Sequence, residues 1–167
     1  MKKVLSFLIG IVVLLHPITV EANGLSYLQP PETDGIPENI SEYAEIIGNE
    51  FNICPELLEA IAWHESRYTA TVTNGSCKGL MQLSSCHKYR FVDAGWSSNE
   101  WDDPYKNMYV GAQYLSELFE TYEDVGIVLG LYHGEQNAIA RGKSGKLSSY
   151  VTEILERSEE LERIHGK

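Results

Sequence analysis

One carboxylate in this chain occupies a position where an acidic side chain is unusual. Apolar residues recur at helical spacing after Pro55, and Glu65 continues the stripe that they form. The stripe consists of Leu57, Leu58, Ile61 and Ala62. Because such a stripe faces the core of a helical protein, the spacing predicts that Glu65 is partly buried near the end of a helix.

Partial burial suits Glu65 to acid catalysis. Removal from water disfavours the charged carboxylate, and the negative end of the helix dipole acts in the same direction. Both effects raise the pKa of Glu65, so that a proton is available for donation near neutral pH. The alternative is an ordinary residue at a helix end, which reaches solvent or pairs with Arg67 or Lys78. The helix alone favours this alternative, and only the motifs around Glu65 favour catalysis.

The elements that position Glu65 are predicted to be mostly helices. Helical periodicity covers residues 37–52, a segment that begins at Pro55, and residues 104–122, 124–132 and 146–163. Proline is tolerated at the first position of a helix, which supports the start at Pro55. Residues 69–98 are rich in Gly, Ser, Thr and Asn and predict an irregular region with a short helical turn or a small hairpin. The predicted fold class is therefore mostly α.

The N-terminal residues predict export from the cytoplasm. Two lysines precede a mostly apolar stretch over residues 4–15, and residues 20–22 supply the small side chains that a signal peptidase requires. This pattern predicts a signal peptide over residues 1–22 and a mature chain that starts near Asn23. The domain is then expected outside the cytoplasmic membrane, in the periplasm or cell wall. An uncleaved membrane anchor is the alternative.

The remaining chain is long enough for one domain with a single core. Residues 23–36 contain Pro30-Pro31 and Asp34-Gly35 and are predicted to be a linker, whereas residues 37–164 form the predicted catalytic domain. The whole sequence has a formal net charge of −11. Because nucleic acid binding requires a basic patch, this charge argues against a nucleic-acid partner.

Three cysteines in an exported chain leave at least one thiol unpaired in a monomer. Cys77 and Cys86 bracket residues 79–82, so a disulfide between them is one possibility. Cys54 would then be a small residue at a helix start. A bond from Cys54 to either of the others and three free thiols are the alternatives.

The sequence predicts no metal and no cofactor. His64-Glu65 starts like the helix of a zinc protease, but Tyr68 stands where the second histidine is required. A site built from Cys77, Cys86, His87 and His64 also fits no common zinc spacing.

Several motifs resemble, in their order along the chain, the catalytic domain of the soluble lytic transglycosylases. The resemblance covers roughly residues 40–155, and it implies a lysozyme-like, mostly helical fold that cleaves peptidoglycan. The residues that carry it are Glu65-Ser66, Gly79-Leu80-Met81-Gln82, Asp103-Pro104, Asn107, Gly111-Ala112-Gln113-Tyr114-Leu115, Leu131-Tyr132 and Tyr150-Val151.

The resemblance implies a role for Glu65 in both halves of the reaction. Glu65 is expected to protonate the glycosidic oxygen between N-acetylmuramic acid and N-acetylglucosamine, and then to deprotonate the muramoyl 6-hydroxyl as a 1,6-anhydro ring closes. The substrate's own N-acetyl group replaces a second carboxylate in this family. Hydrolysis by a muramidase on the same fold is the alternative. Its second carboxylate would be Asp93, Asp102, Asp103 or Glu135, and none of these stands in a motif that assigns the role.

The resemblance also implies substrate-binding residues. Gln82 is expected to bind sugar or acetamido groups, Met81 to pack at the floor of the groove, and Tyr132 to hydrogen-bond Glu65 or substrate. Tyr150 matches a second tyrosine near the cleft. For Met81 and Tyr150, plain core packing is the alternative. The remaining candidates are Ser66 and Thr73, the latter only if one residue is deleted after Glu65.

The chain departs from the family at three positions. An Ala-Tyr-Asn-Ala-Gly stretch is usual, but here His133 replaces the asparagine and Glu135 replaces the last glycine. Lys146 replaces an acidic residue four positions before the C-terminal tyrosine. These changes are expected to alter subsite preference, the pH optimum or the balance between ring closure and hydrolysis.

Two further functions belong to other classes. The first is a non-catalytic module that binds peptidoglycan glycan strands, and the second is an interaction protein of an envelope-spanning secretion or conjugation machine. Nothing in the sequence names such a partner, because the acidic helix faces are most simply solvated surface. A monomer is expected.

Overall fold

The computed structural model describes residues 34–167. The predicted signal peptide over residues 1–22 and most of the predicted linker over residues 23–36 lie outside the described residues. The described part contains seven α-helices, and their bounds are α1 Glu38–Phe51, α2 Pro55–Ser66, α3 Lys88–Asp93, α4 Pro104–Thr121, α5 Val125–Tyr132, α6 Ala138–Ser144 and α7 Ser149–His165. The prediction of a mostly α, lysozyme-like domain is confirmed.

The irregular region between α2 and α3 holds a small antiparallel sheet. Its strands are β1 Thr73–Asn74, β2 Cys77–Lys78 and β3 Leu83–Ser84, in the spatial order β1-β2-β3. In the register, Asn74 lies opposite Cys77 and Cys77 lies opposite Ser84. A 3₁₀ turn over Ser85–His87 leads directly into α3. The region therefore contains both the hairpin and the short helix that its composition allows.

The beginning and the end of α2 follow from local residues. Pro55 is the first residue of the helix, where its missing N–H is not needed. Arg67 and Tyr68 have φ angles of 53° and 61°, which end the helix in the left-handed region. The guanidinium group of Arg67 lies 3.7 Å over the ring of Trp63 and stabilises this end. Glu65 thus lies in the last turn of α2, as the sequence predicts.

Side-chain caps hold the starts of three other helices. The Asp103, Asp124 and Ser148 side chains accept hydrogen bonds from the third residue of α4, α5 and α7 at 3.1, 2.9 and 3.3 Å. Each cap of this kind stabilises a helix by about 1 kcal/mol. The caps of α5 and α7 matter for the site because these helices bring Tyr132 and Tyr150 towards Glu65.

Helix α2 packs against α1, α7 and α4 and is buried on several sides. Leu58, Ala60 and Ile61 are fully buried, and the other residues of the predicted stripe up to Ala62 are at most 6% exposed. Glu56 and Glu59 of the same helix are also buried, which the sequence stripe did not predict. The stripe describes one face only, whereas neighbours cover α2 on further faces.

Two other features complete the comparison with the sequence. Helix α6 was not predicted, because the sequence Ala138–Ser144 is short and has no apolar stripe. Within residues 34–167, no helix combines the length and apolar character needed to cross a membrane.

Candidate active site

The end of α2, the small sheet, α4 and the end of α5 enclose a cleft of about 420 Å³. The lining residues are Glu65, Asn74, Cys77, Gln82, Leu83, Ser84, His87, Tyr114, Leu131, Tyr132, His133 and Gly134. Glu65 is the one acidic side chain among these described lining residues. The other lining residues are mostly polar or aromatic, with Leu83 and Leu131 as apolar members, and this mixture suits a carbohydrate ligand better than a charged one.

Glu65 is half-buried in the wall of this cleft. Burial raises the pKa of its carboxyl group, and this effect outweighs the opposing hydrogen bond from Tyr150 and the charges of His64 and His133. The Tyr150 hydroxyl donates to Oε1 of Glu65 at 2.6 Å. Glu65 therefore combines access to the cleft with a raised pKa, as a general acid requires.

Tyr150 lies in the first turn of α7, and its ring lies between two histidine rings. The ring of His133 stacks on it with centroids 3.8 Å apart and planes 5° apart. The ring of His64 meets it edge-on at 4.8 Å. Burial and the adjacent Glu65 hold the pKa of Tyr150 far above its usual value, so the phenol keeps the proton that it donates. The structure thus gives Tyr150 a contact with Glu65 that core packing alone would not.

Tyr132 lines the cleft but does not hydrogen-bond Glu65, so that part of its predicted role is corrected. Its hydroxyl donates to the main-chain carbonyl of Met81 at 2.9 Å. The ring lies 5.6 Å from the ring of Tyr114 on α4. Packing at the end of α5 directs the Tyr132 hydroxyl group to the loop after β2. The Tyr150 hydroxyl group on α7 contacts the Glu65 carboxyl group instead.

Asn107 of α4 holds the loop between β2 and β3 through hydrogen bonds of its side-chain amide. The buried Asn107 accepts a hydrogen bond from the Met81 amide at 2.8 Å and donates to the carbonyls of Trp101 and Lys78 at 3.0 and 3.2 Å. Gly79 has a φ angle of 80°, and a Cβ there would overlap both Asn107 and the Trp101 carbonyl. The glycine and the asparagine of the sequence motifs therefore fit each other directly.

Gln82 lies in the cleft at the end of this loop. Its amide nitrogen donates to the carbonyls of Val72 and Gly79 at 3.0 and 2.9 Å. The amide oxygen accepts no hydrogen bond from the residues that the structure describes. This oxygen is the part of Gln82 that remains for a sugar N–H or hydroxyl group, and the binding role stays a prediction.

Besides Tyr150, three further predicted substrate-binding residues lie outside the cleft lining. Met81 is fully buried and packs against α4, where a Cβ on Gly111 would lie 3.2 Å from its side chain. Ser66 is buried and donates to the carbonyl of Leu80 at 2.7 Å, so it joins α2 to the loop. Thr73 is exposed on β1, and its neighbour Asn74 lines the cleft instead. The burial of Met81 fits core packing, the alternative for this residue, and the substrate-binding roles of Met81, Ser66 and Thr73 stay predictions.

The three cysteines are free thiols, so the possible disulfide between Cys77 and Cys86 is not formed. Cys77 lies on β2 and lines the cleft, and Cys86 is exposed in the 3₁₀ turn. Across residues 34–167, no three His, Cys, Asp or Glu side chains are grouped to hold a metal ion.

Eight residues that line the cleft were not among the predicted site residues. They are Asn74, Leu83, Ser84, His87, Tyr114, Leu131, His133 and Gly134. His133 was noted as a replacement of the usual asparagine, and that departure was the available indication of a role. Asn74, Leu83, Ser84 and His87 lie in the irregular region, where periodicity gives no information about which side chains face a cleft. Tyr114 on α4 and Leu131 on α5 stand in the family motifs, and those motifs were the available indication of their place.

A mostly helical domain with one carboxyl group in the wall of a cleft places the chain in the lysozyme-like class of domains. The sequence model of the Transglycosylase SLT domain matches residues 42–149, and the chain belongs to this family. It is also similar to proteins of Escherichia coli described as X polypeptide. One is 30% identical over 116 residues, which cover 66% of this chain and 68% of the relative. Another, from strain K12, is 29% identical over a region of the same length and coverage.

Proposed function

We propose that the protein is a peptidoglycan lytic transglycosylase that cleaves the β-1,4 bond between N-acetylmuramic acid and N-acetylglucosamine and leaves a 1,6-anhydro end. Membership of the transglycosylase SLT family supports peptidoglycan as the substrate. The single observation that carries the proposal is the half-buried Glu65, whose pKa is raised and which lies in the cleft beside a donating phenol.

In the first step, Glu65 donates its proton to the glycosidic oxygen. The bond from the anomeric carbon to this oxygen breaks through an oxocarbenium-like transition state, and the N-acetylglucosamine side leaves with a free hydroxyl group. The N-acetyl group of the muramoyl residue assists at the anomeric carbon. The hydrogen bond from Tyr150 stabilises the carboxylate that this step creates.

In the second step, the ionised Glu65 accepts the proton of the muramoyl 6-hydroxyl. The 6-oxygen forms a bond to the anomeric carbon, which closes the 1,6-anhydro ring and restores the protonated acid. No water is consumed, and one carboxyl group serves as acid and then as base.

The lining of the cleft favours this reaction over two-carboxylate hydrolysis. The four candidates for a second carboxylate do not line the described cleft. Asp103 caps α4, and Glu135 accepts a hydrogen bond from Ser148. Asp93 and Asp102 are exposed elsewhere. A retaining or inverting hydrolase of the two-carboxylate type requires the second group across the bond from the acid.

The proposed site of action is outside the cytoplasmic membrane, in the periplasm or cell wall, because the glycan substrate is there. The basic and apolar pattern of residues 1–22 supports export. A contribution to an envelope-spanning secretion or conjugation machine is compatible with this location and is a separate proposal.

Mass spectrometry of the muropeptides released from purified peptidoglycan tests the reaction. The mature protein and Glu123→Gln, a matched change at an exposed acid, are expected to release anhydro-muramoyl products. Glu65→Gln is expected to lower the release rate by at least about 100-fold, because it removes the general acid. Reducing-end products that depend on Glu65 would instead identify a muramidase. Binding without release by any of the proteins would identify a non-catalytic module.

A further inference from the structure

The two residues that replace Asn and Gly in the family stretch contact each other. Nδ1 of His133 lies 3.6 Å from Oε1 of Glu135. The same oxygen of Glu135 accepts a hydrogen bond from Ser148, the residue that caps α7. Glu135 also lies 4.0 Å from Nε of Arg141 on α6. Glu135 therefore links the turn after α5 to the start of α7 and orients the ring of His133.

The orientated ring of His133 covers Tyr150. The 3.8 Å centroid distance and 5° interplanar angle make this the closest ring pair among the aromatic contacts of the described residues. On Tyr150, the hydroxyl group at the far end of the ring donates to Glu65. A contact that restricts the Tyr150 ring also restricts the hydrogen bond that acts on the catalytic carboxyl group.

We propose that His133 is a positioning residue for Glu65, which rests on the proposed function of Glu65 as the general acid. Its ring is held by Glu135 and stacks on Tyr150, and it thereby fixes the phenol against the carboxyl group. His133 does not touch the reacting atoms in this role. The pair of replacements at 133 and 135 acts as one unit that tunes the acid of this chain.

The charge of His133 acts on the pKa of Glu65, and this effect is separate from the stacking of its ring on Tyr150. The titratable groups around this ring are Glu135 from the turn, Tyr150 from α7 and Glu65 from α2, whose pKa the charge of His133 affects. His64 of α2 contacts the Tyr150 ring edge-on. His64 itself is paired with Glu153 of α7 at 3.2 Å, and Arg141 of α6 reaches Glu135. A positive charge on His133 lowers the pKa of Glu65 and opposes the effect of burial. Loss of that charge is expected to raise the pKa of Glu65.

Two substitutions separate the ring from the charge. His133→Phe keeps a ring that can stack on Tyr150, whereas His133→Asn removes it and restores the residue usual in the family, which the fold accepts. In muropeptide release, His133→Asn is expected to lower the kcat at the optimal pH by about tenfold, with little change in KM. His133→Phe is expected to stay within about twofold of wild type. Tyr89→Asn removes an exposed ring outside the cleft and is the control.

Glu135→Gln tests the support of the ring. Glu135→Gln alone is expected to lower the kcat by about threefold. The double variant with His133→Asn is expected to have the same kcat as His133→Asn, because both residues act through the stack on Tyr150. An equal loss of kcat in the Phe and Asn variants, a change in KM alone, or no loss in either would overturn the proposal. Thermal unfolding of every variant identifies losses that come from stability.

An NMR titration, which needs no turnover, tests the role of His133 independently of the proposed reaction. The titration of the Glu65 carboxyl carbon by NMR is expected to show a higher pKa in both His133 variants than in the wild type, and an unchanged pKa would contradict the contact. If the wild type releases reducing-end products, the transglycosylase proposal fails, while the kcat comparison still tests His133 because both reactions begin with proton donation.

Discussion

Tyr132, which lines the cleft, and Tyr150, which contacts Glu65, have different hydrogen-bond partners and therefore different tasks. Tyr150 donates to the Glu65 carboxyl group, and Tyr132 donates to the main chain of the loop at Met81. The first bond acts on the electrostatics of Glu65, whereas the second maintains the shape of the cleft wall. Removal of each hydroxyl group should therefore affect different measured quantities.

Tyr150→Phe is expected to lower the kcat by about tenfold, because the carboxylate formed in the first step loses a charge-assisted hydrogen bond. The bond from Tyr150 also lowers the pKa of Glu65. Its loss raises that pKa, so the alkaline limb of the kcat profile, where the acid loses its proton, moves to higher pH.

Tyr132→Phe is the matched comparison. It should cost about 1 kcal/mol of stability, because it leaves the Met81 carbonyl without its partner, and it should leave the alkaline limb in place. pH profiles and chemical denaturation of both variants measure the two effects. A shift of the limb in Tyr132→Phe, or none in Tyr150→Phe, would contradict these assignments.

The loop between β2 and β3 depends on an exact fit between Gly79 and α4. Asn107 uses its amide oxygen and nitrogen to hold three main-chain groups of the loop and of the segment before α4. This arrangement brings the backbone of the loop against the side chain of a helix, which only glycine allows. The loop carries Gln82 and the carbonyl that Tyr132 binds, so its position decides the shape of the cleft.

Gly79→Ala is expected to destabilise the protein by about 3 kcal/mol or more. The new Cβ would overlap Asn107 and the Trp101 carbonyl, and the positive φ angle is unfavourable for alanine. Gly75→Ala is the control, since Gly75 has a φ of 61° but a Cβ there would contact nothing within 4 Å. Gly75→Ala should lower the free energy of unfolding by only about 1 kcal/mol, which is the cost of a positive φ angle for alanine. Urea denaturation measures both, and equal losses would show that the fit to α4 is unimportant.

Helix α2 carries buried acidic groups along its whole length. Burial acts to raise the pKa of Glu56, but hydrogen bonds from Cys54, Lys167 and His165 outweigh it and lower the pKa to about 2. His165 contacts Glu56 at 2.9 Å and Asp34 at 3.1 Å and so connects the end of α7 to the start of the described chain. Glu59 has only a hydrogen bond from Ser41, and burial raises its pKa to about 7. The global stability should therefore depend on pH.

The sign of this dependence differs between the two acids. Glu56 has a folded pKa below the ordinary 4.5, so its contribution to stability is present above pH 4.5 and is lost as the pH falls towards about 2. Glu59 has a folded pKa above 4.5, so its contribution is present below pH 4.5 and is lost as the pH rises through about 7. One carboxyl oxygen of Glu59 is buried and has no partner among the described residues, which makes its ionisation costly.

Glu59→Gln is expected to reduce the loss of unfolding free energy between pH 5 and pH 8 by about 3 kcal/mol, because the amide cannot ionise. The raised pKa values of Glu65 and His165 account for the remaining loss. Glu56→Gln on the same helix should instead destabilise the protein throughout this range, since His165 and Lys167 lose their partner. Denaturation curves at several pH values measure both. A wild-type stability that is flat from pH 5 to pH 8 would contradict the prediction for Glu59.

Local patterns in the sequence were sufficient for most helices and for Glu65. Apolar periodicity, a proline at the start of α2 and acidic or serine caps act within a few residues, so they can be recognised without the rest of the fold. The same patterns did not predict α6, which has no apolar stripe, nor the burial of Glu56 and Glu59, which depends on how many neighbours cover α2. Stripes report one face of a helix and not the number of its contacts.

The sequence by itself determined the position of Glu65 in the last turn of α2, most of the helices and the motifs of the loop, because each depends on residues close together in the chain. Only the tertiary structure decided that Tyr150, and not Tyr132, reaches Glu65, and that His133 stacks on Tyr150. It also decided that Met81, Ser66 and Thr73 lie outside the cleft lining. These contacts join α2, α5 and α7 across the fold, and the distance between such side chains follows from helix packing, which no local spacing encodes.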